Sequence, residues 1–198
     1  MPHDLETTRR KDPAMANLGY DRDPSDFYPT PSWCTEALLR NYPFSRDFTV
    51  WEPACGTGHI SKVFESRGFN VFSSDLNDTG FGFCGLDFLT QETGHHAIVT
   101  NPPYKRQSGI WLSDRFVTKA LDLTENYQGI VAMFMRTDWG SASSRRKFTQ
   151  HPAFALKLEM TKRPRWIEGT TGSPRHNYGW MIWDWKTVGQ EPRIRFDQ

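Results

Sequence analysis

A chain of 198 residues, 37% hydrophobic and 14% aromatic, carries enough apolar side chain for a packed domain, which excludes a disordered protein. No run approaches the roughly 18 apolar residues of a membrane helix, and Met1 to Lys11 lacks the apolar stretch of a secretory signal. The net charge of +1 conceals an asymmetry: residues 1–100 hold 8 Lys/Arg against 14 Asp/Glu and residues 101–198 hold 16 against 9, which fits a polyanionic partner as well as ordinary solvated faces.

Residues 1–24 are rich in charge, with prolines at 2, 13 and 24, and are expected to form a flexible tail before one domain over 25–198. Asp26-Phe-Tyr-Pro-Thr-Pro-Ser32 is a rigid proline-bearing loop. Ser32 is placed to cap a helix over 33–42, with Glu36 near its first turn and Pro43 ending it. Phe48 to Trp51 is a short apolar strand. A helix over 59–67 follows, with Ile60, Val63, Phe64 and Arg67 at helical spacing and Gly68 as its stop. Phe69 to Ser74 is a second strand that ends at Asp75, residues 76–84 are a loop, and Cys84 to Phe88 is a third, short strand.

His96 to Thr100 is a fourth strand and a helix is expected over 111–125. Gly129 to Met135 is an unbroken apolar run that suits a parallel strand buried on both faces. Ser141 to Gln150 is read as a helix, and Phe154 to Met160 and Tyr178 to Trp185 as two late strands without a helix between them, paired antiparallel at an edge. The pattern predicts an α/β fold: a Rossmann-like, mostly parallel, doubly wound sheet with an antiparallel edge hairpin. Cys34, Cys55 and Cys84 are an odd number without CxxC spacing, so neither disulfide nor metal site is expected, and a reducing cytoplasm is the expected location.

Val50-Trp-Glu-Pro-Ala-Cys-Gly-Thr-Gly58 lies between a strand and a helix. Gly56 and Gly58 let the backbone turn sharply and approach a ligand. Asp75, 17 residues after Gly58 at the next strand end, can accept hydrogen bonds from both hydroxyls of a ribose. Nicotinamide enzymes share this arrangement. However, the third small residue of their fingerprint is replaced by Ser61, and Glu52 would repel a pyrophosphate. A carboxylate at position 52 suits a cationic cofactor bearing an amino group and a sulfonium.

Asn101-Pro-Pro-Tyr104 follows the apolar strand 45 residues after Gly56. The two prolines hold Asn101 and Pro102 extended and present their carbonyls stiffly. An exocyclic amine such as adenine N6 is a poor nucleophile because its lone pair is delocalised. Two acceptors, the Asn101 side-chain oxygen and the Pro102 carbonyl, can hold its two N–H bonds and localise that pair. Tyr104 can stack on the planar group. Neutral Asn101 is no general base, so the proton leaves after transfer.

Taken in this order, the motifs resemble the adenine-N6 DNA methyltransferases that use S-adenosylmethionine, in particular the small, phage- or prophage-like ones. The resemblance covers roughly residues 26–185. It implies that Tyr28, Thr30 and Pro31 meet the methionine carboxylate and that Glu52, Pro53, Ala54, Gly56 and Gly58 form the glycine-rich cofactor motif. It implies further that Asp75 with Leu76 binds the ribose, that Asp87 and Phe88 contact the cofactor adenine, and that Asn101 to Tyr104 is the catalytic tetrapeptide, with Asn101 also near the cofactor. Arg163-Pro-Arg-Trp166 resembles the segment whose aromatic closes over a flipped base; Trp166 is the first candidate, with Tyr178 and Trp180 as rivals. The larger members carry a separate target-recognition domain, for which this chain has no room. A flipped base must therefore be handled by Lys105 and Arg106, the 141–147 segment and the 161–177 loop. Arg136, Arg145, Arg146, Lys147, Lys162, Arg163, Arg165 and Arg175 are available for phosphates, and short or absent sequence specificity is expected.

The same tetrapeptide occurs in methyltransferases acting on RNA adenine and on a glutamine amide of release factors. The latter usually carry a helical N-terminal domain, against which stand the 25 or so residues here. A catalytically silent nucleic-acid-binding module is the reading from another class. The expected partner is DNA, with RNA as the alternative.

Overall fold

The computed structural model describes residues 28–166 and 174–197. The expected tail over 1–24, Asp26 and Phe27 of the proline loop, and Gly169 and Gly172 lie outside the described residues. The elements run α1 (Ser32–Asn41), β1 (Thr49–Glu52), α2 (His59–Ser66), β2 (Asn70–Asp75), β3 (Phe83–Cys84), β4 (Ala97–Thr100), β5 (Arg106–Gln107), β6 (Ile110–Trp111), α3 (Leu112–Glu125), β7 (Ile130–Arg136), α4 (Arg146–Thr149), β8 (Phe154–Glu159), β9 (Tyr178–Asp184) and β10 (Arg193–Phe196).

Eight of the strands form one sheet in the order β10-β8-β9-β7-β4-β1-β2-β3. All neighbours are parallel except where β9 meets β7 and β8, so β9 alone is reversed. The side chains of the central strands alternate between two cores. Ala97, Val99, Ile130, Ala132 and Phe134 pack with Cys34, Leu38, Ile60 and Phe64 of α1 and α2. Ile98, Val131, Met133 and Met135 pack on the other face with Phe116, Val117 and Ala120 of α3 and Phe148 of α4. Period-2 alternation with helices on both faces is what a doubly wound sheet requires. β4 and β7 are buried almost throughout, and each large apolar side chain there contributes about 1.5–3 kcal/mol.

Four local expectations need correction. Ser32 is the first residue of α1 and not its cap: Pro31, with φ −57°, stands at the cap position and no side chain caps the helix. Its carbonyl accepts from Cys34 N at 2.9 Å. The third strand is Phe83–Cys84, and Phe88–Thr90 is a 3₁₀ turn because the Asp87 carboxylate caps it, accepting from Leu89 N at 2.9 Å. The 141–150 segment is two 3₁₀ turns followed by the four-residue α4. β8 and β9 pair antiparallel as expected, but β10 lies outside β8 and forms the edge.

Two elements are absent from the sequence reading: β10 and the small hairpin β5–β6, which forms a sheet of its own. The tryptophans of β9 are core. Trp180 and Trp183 are fully buried, and their indole N–H groups donate to Cys34 O at 2.8 Å and Phe148 O at 2.9 Å.

Candidate active site

The parallel strands β1, β2 and β4 end at the same edge of the sheet, where open α/β folds form their crevice. A cleft of about 700 Å³ lies there. Of the residues singled out from the sequence, it is lined by Tyr28, Thr30, Glu52, Pro53, Ala54, Gly56, Asp75, Leu76, Asp87, Phe88, Asn101, Pro102, Tyr104, Lys105 and Arg106. Pro31, Gly58, Arg136, Arg163, Arg165, Trp166 and Tyr178 do not line it.

The glycine loop is held by its own acids. Gly56 (φ 51°) and Gly58 (φ 81°) are left-handed, and a Cβ on Gly58 would collide with the Phe81 ring. The Asp75 carboxylate accepts from Gly56 N at 2.9 Å and from Asn77 N at 2.9 Å, tying the loop after β1 to the end of β2. Thr79 donates to Gly56 O at 2.5 Å. Glu52 is 2% exposed and accepts from the Ser61 backbone N–H at 2.8 Å and from the Ser61 hydroxyl. Ser61 thus stands at the third position of the glycine pattern because its hydroxyl serves Glu52. Burial pushes the Glu52 carboxyl up to about 8, against the opposing pull of those Ser61 hydrogen bonds. Burial likewise pushes the neighbouring Cys55 thiol up to about 12, so it is a packing group and no nucleophile at neutral pH. His59 also lines the cleft, and burial, then the charge of Lys62, holds its imidazole below the ordinary range.

Asn101 leaves β4 directly into the cleft wall. Its amide nitrogen donates to Tyr28 O at 3.1 Å and to Thr30 Oγ1 at 3.2 Å. The nitrogen is thereby engaged by the segment before α1, and the amide oxygen is the atom left to accept. Thr30 is 3% exposed, so that partner is fixed by packing. Pro102 is buried, and the Tyr104 hydroxyl donates to Phe134 O at 3.0 Å, which anchors the ring between β4 and β7.

Trp166 packs edge-on against Tyr28 (centroids 5.8 Å) and Tyr178 (4.8 Å), one ring behind the cleft wall. The cations expected to meet phosphates divide. Arg136 pairs with Asp138 through both arms, at 2.9 and 2.5 Å. Arg163 braces Asn177 at 2.7 Å and Pro174 O at 3.0 Å. Arg145 is largely covered and bonds Asp114 at 2.8 Å and Trp139 O at 3.1 Å. Arg146, Lys147, Lys162, Arg165 and Arg175 are exposed.

No family model matches the chain, and no curated protein does. Solved structures do match. A modification subunit assigned to a type I restriction enzyme of Vibrio vulnificus superposes with a TM-score of 0.60 at 12% identity, over 83% of this chain and 46% of that one. A Listeria monocytogenes protein assigned to the class I S-adenosylmethionine-dependent methyltransferases gives 0.56 at 11%, over 83% and 61%. The fold is that of the class I methyltransferases. A Pyrococcus horikoshii protein assigned as an RNA methyltransferase has the same methyltransferase fold, with a TM-score of 0.55 at 17% identity, over 79% of this chain and 86% of that one. The chain thus spans about half to three fifths of the length of the first two.

Proposed function

We propose that this chain transfers a methyl group from S-adenosylmethionine to the N6 amine of adenine in DNA. The observation that carries the reading is the meeting, in one cleft, of Asn101-Pro-Pro-Tyr104 with the glycine turn and its two acids. The donor set fits the cofactor. The buried carboxyl of Glu52 suits its cationic end, Asp75 suits two ribose hydroxyls, and Leu76, Asp87 and Phe88 suit a purine. Tyr28 and Asn101 would stand at its methionine carboxylate, with Thr30 holding the Asn101 amide in place. When bound, S-adenosylmethionine supplies an activated methyl on a sulfonium.

The chain's own residues do the rest. The Asn101 oxygen and the Pro102 carbonyl accept hydrogen bonds from the two amine N–H groups and draw the nitrogen toward tetrahedral geometry. Because the Asn101 nitrogen is held by Tyr28 and Thr30, the oxygen needs no reorientation when the amine arrives. The Tyr104 ring, fixed by its bond to Phe134 O, stacks on the base. Once the nitrogen carries the methyl it is cationic and acidic, and it sheds its proton to water without a dedicated base. Adenine in a duplex lies inside the stack and must be rotated out to reach this cleft. Substrate choice remains with the exposed basic segments around the cleft, which predicts short or no sequence specificity. The Vibrio modification subunit lends support at the level of fold.

The reading is tested by nucleoside analysis of DNA and RNA from cells expressing the protein, alongside transfer of labelled methyl to DNA, RNA or a release factor in vitro. N6-methyladenine in DNA is expected. Label confined to RNA or to protein would replace the substrate, and no transfer to any acceptor would end the reading.

A further inference from the structure

Immediately after Tyr104 the chain builds a hairpin that the chemistry above does not use. β5 and β6 pair Arg106 with Trp111 and Gln107 with Ile110 across a two-residue turn. Ser108 (φ 51°) and Gly109 (φ 82°) both take positive φ, the type I′ geometry that matches strand twist and closes the tightest hairpins. The base is tied down: Leu112 N donates to Lys105 O at 2.8 Å. Side chains alternate across such a ribbon. On one face the Arg106 guanidinium lies 4.4 Å from the Trp111 ring, with Arg145 at 5.9 Å. On the other are Gln107, which accepts from Arg115 Nη1 at 2.6 Å, and Ile110.

Ile110 is 55% exposed although it is a β-branched apolar residue at a turn, where polar residues are usual. Its cross-strand partner Gln107, with Lys105 and Arg106, lines the cleft. The hairpin therefore sets an exposed apolar knob, Ile110, beside Lys105 and Arg106 of the cleft lining, with Arg115 of α3 held to it through Gln107. A polyanion with stacked flat rings offers the matching chemistry. Phosphates meet the cations, and the gap left by an extruded base takes the aliphatic side chain.

Resting on the adenine reading above, we infer that the β5–β6 hairpin is the element that engages duplex DNA and holds the target base out of the stack, with Ile110 filling the vacated space and Arg106 and Arg115 on the flanking phosphates. Unstacking costs a few kcal/mol for a paired base and far less for one already unpaired, so the role shows as a difference between substrates.

The test compares wild type with Ile110→Ala and Arg106→Gln on two duplexes, one with the target adenine opposite thymine and one with it opposite an abasic site. Ile110→Ala is expected to lose about tenfold or more of kcat/KM on the paired duplex and to stay within about twofold on the abasic one. Arg106→Gln is expected to weaken binding of both and to lower the salt slope by about one. A second readout needs no turnover. 2-Aminopurine at the target position should brighten with wild type and stay dark with Ile110→Ala, at matched thermal stability. Equal losses on both duplexes, no loss on either, or equal brightening by wild type and Ile110→Ala would overturn the hairpin's role while leaving the adenine reading intact. A wild type that methylates neither duplex overturns both.

Discussion

On the Glu52–Asp75 wall of the cleft the polar groups are committed to one another, whereas on the Asn101–Ile110 wall they are presented outward. Asp75 is satisfied by Gly56 and Asn77, and Glu52 by Ser61. Opposite them, Asn101 spends its amide nitrogen on the chain and Tyr104 anchors its hydroxyl there. Lys105 and Arg106 continue outward into an exposed ribbon. A wall closed on itself suits one small ligand of fixed shape, met at every turnover. A wall with acceptors left over and cations on its rim suits a polymer whose neighbours differ at every encounter. The same cleft thus holds a stiff half and a receptive half.

The sharpest way to break this contrast is at Asn101. Replacing it by Ala removes the acceptor while leaving the other wall untouched. Labelled methyl transfer should fall on the order of 10²–10³-fold, as when one preorganised group is lost from other active sites, with the melting temperature almost unchanged. A variant that kept more than a tenth of the activity would show that the receptive wall does not grip the amine through this side chain.

Glu52 tests the stiff wall, through pH. Its folded-state value, near 8, lies above the ordinary value of 4.5, so native protein holds a proton that unfolded chain has lost. Stability from this group is complete below the ordinary carboxylate range and is lost as pH rises through about 8. Between pH 5 and 8 the unliganded protein should lose melting temperature relative to Glu52→Gln. A cationic ligand favours the charged carboxylate. Between about pH 5.5 and 7, where an α-amino group stays charged, cofactor affinity should therefore rise with pH by up to tenfold per unit, with proton release seen by calorimetry. Glu52→Gln should flatten that profile and weaken binding about ten- to hundredfold above it, the range for a hydrogen bond to a charged group. Parallel pH profiles in the two proteins would remove Glu52 from the cofactor's surroundings.

Thr30 joins the two walls, and its effect should be smaller. Thr30→Val keeps the buried shape and deletes one of the two groups that fix the Asn101 amide. An expected loss of about 1 kcal/mol corresponds to about fivefold in kcat, restored by Thr30→Ser, with cofactor affinity unchanged. A fall in cofactor affinity instead would make Thr30 part of the cofactor's own contact set.

How far such contrasts could be read in advance differs along the chain. The central strands were legible because Ala97–Thr100 and Ile130–Arg136 are apolar on both faces and bounded by breakers. The lining of the cleft from Glu52 to Asp87 followed from loop residues standing at strand ends. The β5–β6 ribbon was invisible: Arg106, Gln107, Ile110 and Trp111 carry no alternation longer than two residues, and only the Ser108-Gly109 turn could have signalled it. β10 was missed although Arg193-Ile-Arg-Phe196 alternates polar and apolar, because it is only four residues long and all four are exposed, so no core marks it. Ser61 was legible only as a departure from a glycine pattern, because its partner Glu52 lies nine residues back and is brought to it by the fold. The arginines were legible as charge but not as role. Whether an arginine is largely covered or exposed depends on tertiary placement, as Arg145 and Arg165 show.

That pair gives the finest test. Arg145 is held by Asp114 and the Trp139 carbonyl, with Trp139 Nε1 also donating to Asp114 at 3.0 Å. Arg145→Ala should therefore act on the fold: it leaves a largely covered carboxylate short of a donor, at a cost of about 1–3 kcal/mol in chemical unfolding. Because its guanidinium is already spent within the chain, the salt dependence of DNA binding should not move. Arg165 is exposed on the segment that leads into the Trp166–Tyr28 packing. Its replacement by Ala should weaken DNA binding alike for all sequences and reduce the slope of log affinity against log salt by about one, the signature of one phosphate contact. If Arg145→Ala shifted the salt slope and Arg165→Ala did not, the receptive surface would run along α4 and the two 3₁₀ turns, and the 161–166 segment would serve only to brace Tyr28.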